Sequence, residues 1–65
     1  MLYNQINNIN GYQLGEAVLD KLINEIHPIW SFGYSQPYLK EIDGVFLEDG
    51  CNYIFRLFSD IEKVP

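Results

Sequence analysis

The sequence predicts an α+β fold in which one amphipathic α-helix packs on a small antiparallel sheet, either a hairpin or a three-stranded meander. Two observations predict it. Between Gly11 and about His27 the apolar residues recur at helical spacing, and further along two apolar runs meet at Asp49-Gly50, a sequence typical of tight turns. At 65 residues, without repeats or linkers, the chain is expected to form a single domain spanning residues 1–65.

The helix is expected to begin near Asn10, since Asn10 and Gln13 have the spacing of a capping box. Its opposite faces are apolar and charged, and the apolar stripe comprises Gly15, Val18, Leu19, Leu22, Ile23 and Ile26. Pro28 would end the helix, because the residue before a proline is pushed out of the α region. The Asn-rich stretch 1–8 stays open as an edge strand, a frayed arm or part of an interface.

The middle of the chain is rich in aromatic residues and bracketed by prolines. In residues 28–37 this composition indicates an aromatic loop or an edge strand. Residues 38–42 fit either a strand or a short helix opened by a proline. We favour the strand, because tight turns at Asp43-Gly44 and Asp49-Gly50 would then give a meander of strands 38–42, 45–48 and 51–58.

The last strand of this meander is apolar on both faces. Tyr53, Phe55 and Leu57 point one way, Ile54 and Phe58 point the other way, and only Arg56 interrupts them. A strand of this kind has to be covered on both sides, by the helix on one face and by a partner on the other. Residues 59–65 follow it as a polar, charged tail.

The charge balance narrows the classes of partner. Four Lys and Arg stand against nine Asp and Glu, a net charge of −5. This argues against direct binding to nucleic acid or to anionic membranes, because both depend on cationic side chains. It favours a protein partner with a basic surface, while acidity that serves only solubility is the alternative. The sequence predicts neither a signal peptide nor a membrane span. The single cysteine is typical of a reducing compartment, so we expect a cytoplasmic protein.

Residues suited to catalysis or metal binding are sparse. Nucleophilic catalysis would need Cys51 or a serine beside the single histidine, His27, and no local pattern places them together. One His with one Cys does not make a zinc site, and the clustered carboxylates lack the spacing of a calcium loop. These carboxylates are Glu41, Asp43, Glu48 and Asp49. We therefore expect no enzymatic activity, no bound metal and no cofactor.

Two groups of residues are candidate partner-binding surfaces. The acidic group comprises Glu16, Asp20, Glu25, Glu41, Asp43, Glu48 and Asp49. The aromatic group comprises Trp30, Phe32, Tyr34 and Tyr38. On the predicted helix Glu16 and Asp20 would lie roughly 6 Å apart, comparable with successive phosphates of a nucleic-acid strand, which would make the face a DNA mimic. The alternatives are a solvated helix face for the first group and the end of the core for the second.

The functional hypothesis follows from the surplus of aromatic rings. One Trp, five Tyr and four Phe are more rings than the core of so short a chain can hide, so some are expected at an interface. We hypothesise a small acidic inhibitor or neutraliser, of the type carried by phages and mobile elements or paired with toxins, that docks on a basic, nucleic-acid-handling protein. The alternative is a structural or adaptor subunit that forms a homo-oligomer such as a homodimer, with acidity serving only solubility.

Overall fold

A computed structural model describes residues 7–65, and within them the chain is almost entirely β-structure. The strands are β1 (Asn8–Ile9), β2 (Tyr12–Gln13), β3 (Ala17–Asp20), β4 (Glu25–Gly33), β5 (Gly44–Asp49), β6 (Asn52–Leu57) and β7 (Ile61–Lys63). A single turn of 3-10 helix, Phe58–Asp60, joins β6 to β7. The three alternatives for the Asn-rich N-terminal stretch concern residues that lie mostly outside the described part of the chain.

The longest strand, β4, is shared by two halves of one antiparallel sheet. The strand order is β6-β5-β4-β3-β7, with β1 and β2 forming a separate hairpin. Residues 25–28 of β4 pair with β3, whereas residues 29–33 pair with β5. The register shifts between Ile29 and Ser31, which leaves Trp30 as an extra residue in a β-bulge. Because a bulge bends its strand, β4 can serve both a first half-sheet (β7-β3-β4) and a second half-sheet (β4-β5-β6).

Both half-sheets contribute to one hydrophobic core. The first supplies Val18 and Ile61, and the second supplies Ile29, Phe32, Val45 and Leu47. In β5 the buried residues Val45 and Leu47 alternate with Phe46, which lies on the other face, as the two-residue period of a strand requires. The sheet thus has an inner face on the core and an outer face toward solvent.

The predicted α-helix is wrong, because residues 11–27 form β2, β3 and the beginning of β4. Asn10 and Gly11 have φ angles of 56° and 82° and form the two-residue loop of the β1–β2 hairpin, instead of capping a helix. Asn-Gly is among the strongest hairpin signals, because both residues tolerate positive φ. Gly15 and Asn24 also have positive φ, at 85° and 58°, which is incompatible with a continuous right-handed helix.

The apolar spacing that indicated the helix does not describe burial. Of its stripe only Val18 is buried, whereas Leu22, Ile23 and Ile26 are exposed. In β3 the buried positions are instead Val18 and Asp20, two residues apart, as expected for a strand with one face on the core. Tertiary pairing of β3 with β4 and β7 therefore determines the structure, against the local helical pattern.

The meander is also corrected. Residues 38–42 form no strand, and the third strand beside β5 and β6 is β4. The aromatic stretch, which was predicted to be a loop or an edge strand, therefore lies mostly in the central strand of the sheet. Asp43 makes no tight turn with Gly44. Its carboxylate accepts hydrogen bonds from the backbone N–H of Ser35 at 2.7 Å and from the Ser35 hydroxyl at 2.5 Å, which fastens the connection between β4 and β5. The β5–β6 hairpin is present, with Gly50 and Cys51 as its loop and Gly50 at φ 62°.

An ion pair between a buried carboxylate and a part-buried guanidinium joins the two half-sheets. Asp20 on β3 has no exposed surface, and its Oδ1 accepts hydrogen bonds from Arg56 Nε at 2.8 Å and from the Leu22 backbone N–H at 3.0 Å. Arg56 on β6 lies directly opposite Val45 and therefore shares the inner face with the core. Since β3 and β6 are not neighbours in the sheet, this pair connects strands that share no backbone hydrogen bonds.

We expect Arg56→Met to lower the free energy of unfolding by about 3 kcal/mol, because it leaves the Asp20 carboxylate buried without its cation. Urea denaturation measures the change. The double variant Asp20→Leu/Arg56→Met, which removes both charges, should recover most of this loss. Equal destabilisation by the single and the double variant would contradict the assigned role of the ion pair.

Candidate functional site

The outer face of the second half-sheet carries four aromatic rings, here called the aromatic face: Trp30, Phe46, Tyr53 and Phe55. Phe46 and Phe55 are directly opposite in the pairing of β5 and β6, and their rings meet edge to face with centroids 5.2 Å apart. Trp30 contacts Tyr53 with centroids 4.2 Å apart and planes inclined by 33°. Trp30 is 52% exposed and Tyr53 49% exposed, so the second ring pair lies at the surface.

Two features of the sequence place these rings. The bulge at Trp30 inserts one residue between the pairs Ile29–Leu47 and Ser31–Phe46, which brings the indole to the outer surface. Gly33 and Gly44 lie opposite each other, and a Cβ at either position would come within 2.6 Å of a Phe46 or a Phe55 ring carbon, respectively. The glycines therefore leave the room that these two rings occupy.

One acidic side chain borders the aromatic face. Glu48 is exposed and lies directly opposite Tyr53 on the neighbouring strand. Two of the four cationic side chains are engaged within the fold, since Arg56 pairs with Asp20 and Lys63 Nζ lies 2.8 Å from Glu16 Oε2. Fewer cations are therefore left at the surface to offset the exposed carboxylates.

The structure separates the predicted acidic residues into two kinds. Asp20 is buried, Glu16 is paired with Lys63, and Asp43 is bonded to Ser35, so these three stabilise the fold. The remaining acidic residues are exposed or half-buried: Glu25, Glu41, Glu48 and Asp49. The phosphate-like spacing of Glu16 and Asp20 is not realised, because no helix carries them and Asp20 is enclosed.

The predicted aromatic group is likewise divided. Phe32 is a core residue, 2% exposed, whereas Trp30 is at the surface. Tyr34 and Tyr38 are exposed on the connection between β4 and β5. The sequence-based set did not include the other three rings of the aromatic face, although the two-faced pattern of the last strand indicated that Tyr53 and Phe55 share a face.

A second cluster lies where β4 begins and β5 ends. His27 Nε2 is 2.9 Å from Glu25 Oε1 and 4.0 Å from Asp49 Oδ2. The hydrogen bond that the His27 ring donates to the Glu25 carboxylate raises the pKa of His27, burial opposes this rise, and the charges of Asp49, Glu25 and Asp20 add to it. One ligand atom from each of Glu25, His27 and Asp49 lies within 4.8 Å of the others, so these three residues could hold a metal ion.

A third group fastens the β1–β2 hairpin to β7. The Lys63 ammonium donates to the Gly11 carbonyl oxygen, pairs with Glu16 and lies 4.7 Å from the centroid of the Tyr12 ring. The hydrogen bond from Lys63, followed by one from the Gln13 backbone N–H, lowers the pKa of Glu16 below its ordinary value of 4.5. This arrangement is structural, since its polar atoms are engaged with one another.

No protein-family model, curated protein or solved structure matches this chain. Among the described residues, 7–65, no helix has the length and apolar character needed to cross a membrane. The functional argument therefore depends on the chemistry of the surfaces described above.

We expect Glu16→Gln to make the melting temperature less sensitive to acid. Because the folded-state pKa of Glu16 is lowered, its contribution to stability is present above 4.5 and is lost as the pH falls through the lower folded-state value. Thermal unfolding followed from neutral to acidic pH measures this. The matched control is Glu48→Gln, which removes an exposed carboxylate from β5 and should leave the acid sensitivity unchanged. A wild-type acid profile in Glu16→Gln would contradict the prediction.

Proposed function

We propose that this protein is a small acidic inhibitor or neutraliser that docks on a basic surface of another protein through its aromatic face. The observation that carries the proposal is the half-exposed ring pair of Trp30 and Tyr53, with the Glu48 carboxylate on the strand beside it. Large rings held at the surface of a small domain are typical of interfaces rather than of solvated faces.

The ring pair supplies the apolar part of such an interface. Trp and Tyr are enriched among the residues that dominate binding energies, because each buries a large area and retains a polar group. Trp30 is the bulge residue of β4 and Tyr53 lies on β6, and both strands belong to one hydrogen-bonded half-sheet. Their backbone is therefore already ordered before a partner arrives, which lowers the entropic cost of association.

The charges around the rings define the chemistry of the partner. A Lys or Arg side chain placed over the exposed indole would gain a cation–π interaction, and the Glu48 carboxylate would attract the same cation. The net charge of −5 would speed the approach of a basic surface. Proteins that handle nucleic acids present such clusters of Lys and Arg, and occupation of the cluster would block the natural ligand.

The test uses the fluorescence of Trp30, the only tryptophan of the chain. An oligo-arginine peptide should change this fluorescence in a saturable manner, and the affinity should fall as the salt concentration rises, because exposed charges are screened. An oligo-glutamate peptide of equal length should have no effect. Binding of oligo-arginine that is insensitive to salt would contradict the electrostatic part of the proposal.

Substitutions locate the surface. Trp30→Ala should weaken binding of oligo-arginine by at least about thirtyfold, measured by calorimetry. Glu48→Gln should weaken it about two- to fivefold. The matched control is Glu62→Gln on β7, at the opposite end of the strand order, where the same loss of charge should leave the affinity close to wild type. Equal effects of Glu48→Gln and Glu62→Gln would indicate net charge alone and would contradict docking at the aromatic face.

A second candidate function is self-association through β6. This strand is at the edge of the sheet, is six residues long, and has no charged residue among Tyr53, Phe55 and Leu57 on its outer face. An edge strand of this kind can pair with a second copy, since no strand among residues 7–65 pairs with one row of its backbone groups. The protein would then be a structural or adaptor subunit whose acidity maintains solubility.

Sedimentation equilibrium distinguishes this candidate. If β6 forms a homodimer, Leu57→Lys should convert the protein to a monomer, because a lysine at an edge strand opposes strand pairing. The matched control is Leu22→Lys, in the exposed turn between β3 and β4, which should leave the dimer intact. A wild-type protein that stays monomeric at the highest soluble concentration would exclude self-association.

A further inference from the structure

The Glu25–His27–Asp49 cluster combines residues from both half-sheets. Glu25 and His27 are two positions apart on β4, so both project to the same side of the strand. Asp49 is the last residue of β5. From this arrangement we propose that Glu25, His27 and Asp49 form a binding site for Zn²⁺, independent of the partner-binding surface proposed above.

The distances within the cluster are close to those of a zinc site. Zinc lies about 2.0–2.2 Å from nitrogen and carboxylate ligands in tetrahedral geometry, so two of its ligand atoms are roughly 3.4 Å apart. The separations from His27 Nε2, 2.9 Å to Glu25 and 4.0 Å to Asp49, lie on either side of this value. All three ligand atoms lie within 4.8 Å of one another, and the two carboxylates are 56% and 44% exposed, so small side-chain rotations would complete the geometry.

The ligand set favours zinc over harder cations. An imidazole nitrogen is a preferred ligand for zinc and for its neighbours among the transition metals, whereas Mg²⁺ and Ca²⁺ select sets made entirely of oxygen. One imidazole with two carboxylates provides three protein ligands, which is the number found in zinc sites that keep a position for water. Two negative charges with a neutral imidazole would compensate the charge of the divalent ion.

An independent observation beside the cluster points to a missing hydrogen-bond donor. Asp20 lies directly opposite Glu25 in the pairing of β3 and β4, and its charge acts on His27. The side chain is completely buried, and its Oδ2 atom has no hydrogen-bond partner among the described residues. Arg56 already neutralises this carboxylate through Oδ1, so what Oδ2 lacks is a hydrogen-bond donor. A water bound to a zinc ion at the cluster would supply such a donor.

Zinc would also connect strand ends that are not paired with each other. Residues 25–28 of β4 pair with β3, whereas the pairing of β4 with β5 begins at Ile29, so zinc would link the start of β4 with the end of β5. Binding to the folded state alone stabilises it in proportion to the logarithm of the metal concentration. The melting temperature should therefore rise as zinc is added.

The experiment is a titration of the full chain with ZnCl₂ in a Cys51→Ser background, since the exposed thiol of Cys51 is a competing ligand. We expect a saturable shift of the His27 imidazole resonances by NMR, together with a rise in melting temperature that depends on zinc concentration. His27→Gln and Asp49→Asn should each weaken binding by at least about tenfold. Amide spectra of each variant verify that it remains folded.

The control substitution is Glu62→Gln, on the outer face of the first half-sheet opposite Leu19, which should leave zinc affinity unchanged. Ca²⁺ at the same concentrations should produce neither effect. The proposal is overturned if zinc fails to shift the His27 resonances, if folded His27→Gln binds zinc as tightly as the parent, or if Ca²⁺ reproduces the response and so indicates attraction to exposed acids alone.

Discussion

The arrangement of the sheet depends on one ion pair, between Asp20 of β3 and Arg56 of β6. These strands are three positions apart in the order β6-β5-β4-β3-β7, so no backbone ladder holds them at a fixed distance. Within residues 7–65 only six hydrophobic residues are buried in the core, and hydrophobic contacts alone are not directional. The charge-assisted hydrogen bond at 2.8 Å adds direction, because it fixes where β6 lies relative to β3. The two half-sheets therefore close over the core in one relative orientation.

The bulge at Trp30 affects both the bend of the sheet and its outer surface. It allows β4 to pair first with β3 and then with β5, so that the sheet divides into two half-sheets. It also places the indole on the outer face beside Tyr53. The same extra residue thus determines both the bend of the sheet and the position of the exposed ring pair. A regular β4 would have neither feature, since every residue would then pair in sequence.

Sequence reasoning succeeded where the signal was local and failed where pairing was distant. The β5–β6 hairpin could be predicted because apolar runs flank a glycine turn within a few residues. The helix prediction failed because the apolar residues recur at helical spacing although only Val18 of the stripe is buried. The Asn10-Gly11 hairpin signal that opposed the helix was interpreted as a cap. Trp30, one of the candidate partner-binding rings, lies at the surface. The burial of Asp20 could not be predicted, since its cation is 36 residues away and no local pattern indicates their contact.

The ion pairs also explain how the fold affects the charge of its surface. Arg56 is part-buried and pairs with the buried Asp20, and Lys63, which is 52% exposed, pairs with Glu16, so Lys21 and Lys40 are the remaining cationic side chains. Each pair neutralises one charge of each sign locally and leaves the net charge unchanged. Because the chain has more than twice as many acids as bases, each such neutralisation raises the proportion of negative charge among the remaining groups that an approaching molecule meets. The interactions that stabilise the sheet therefore also increase the contrast between its acidic surface and a basic partner.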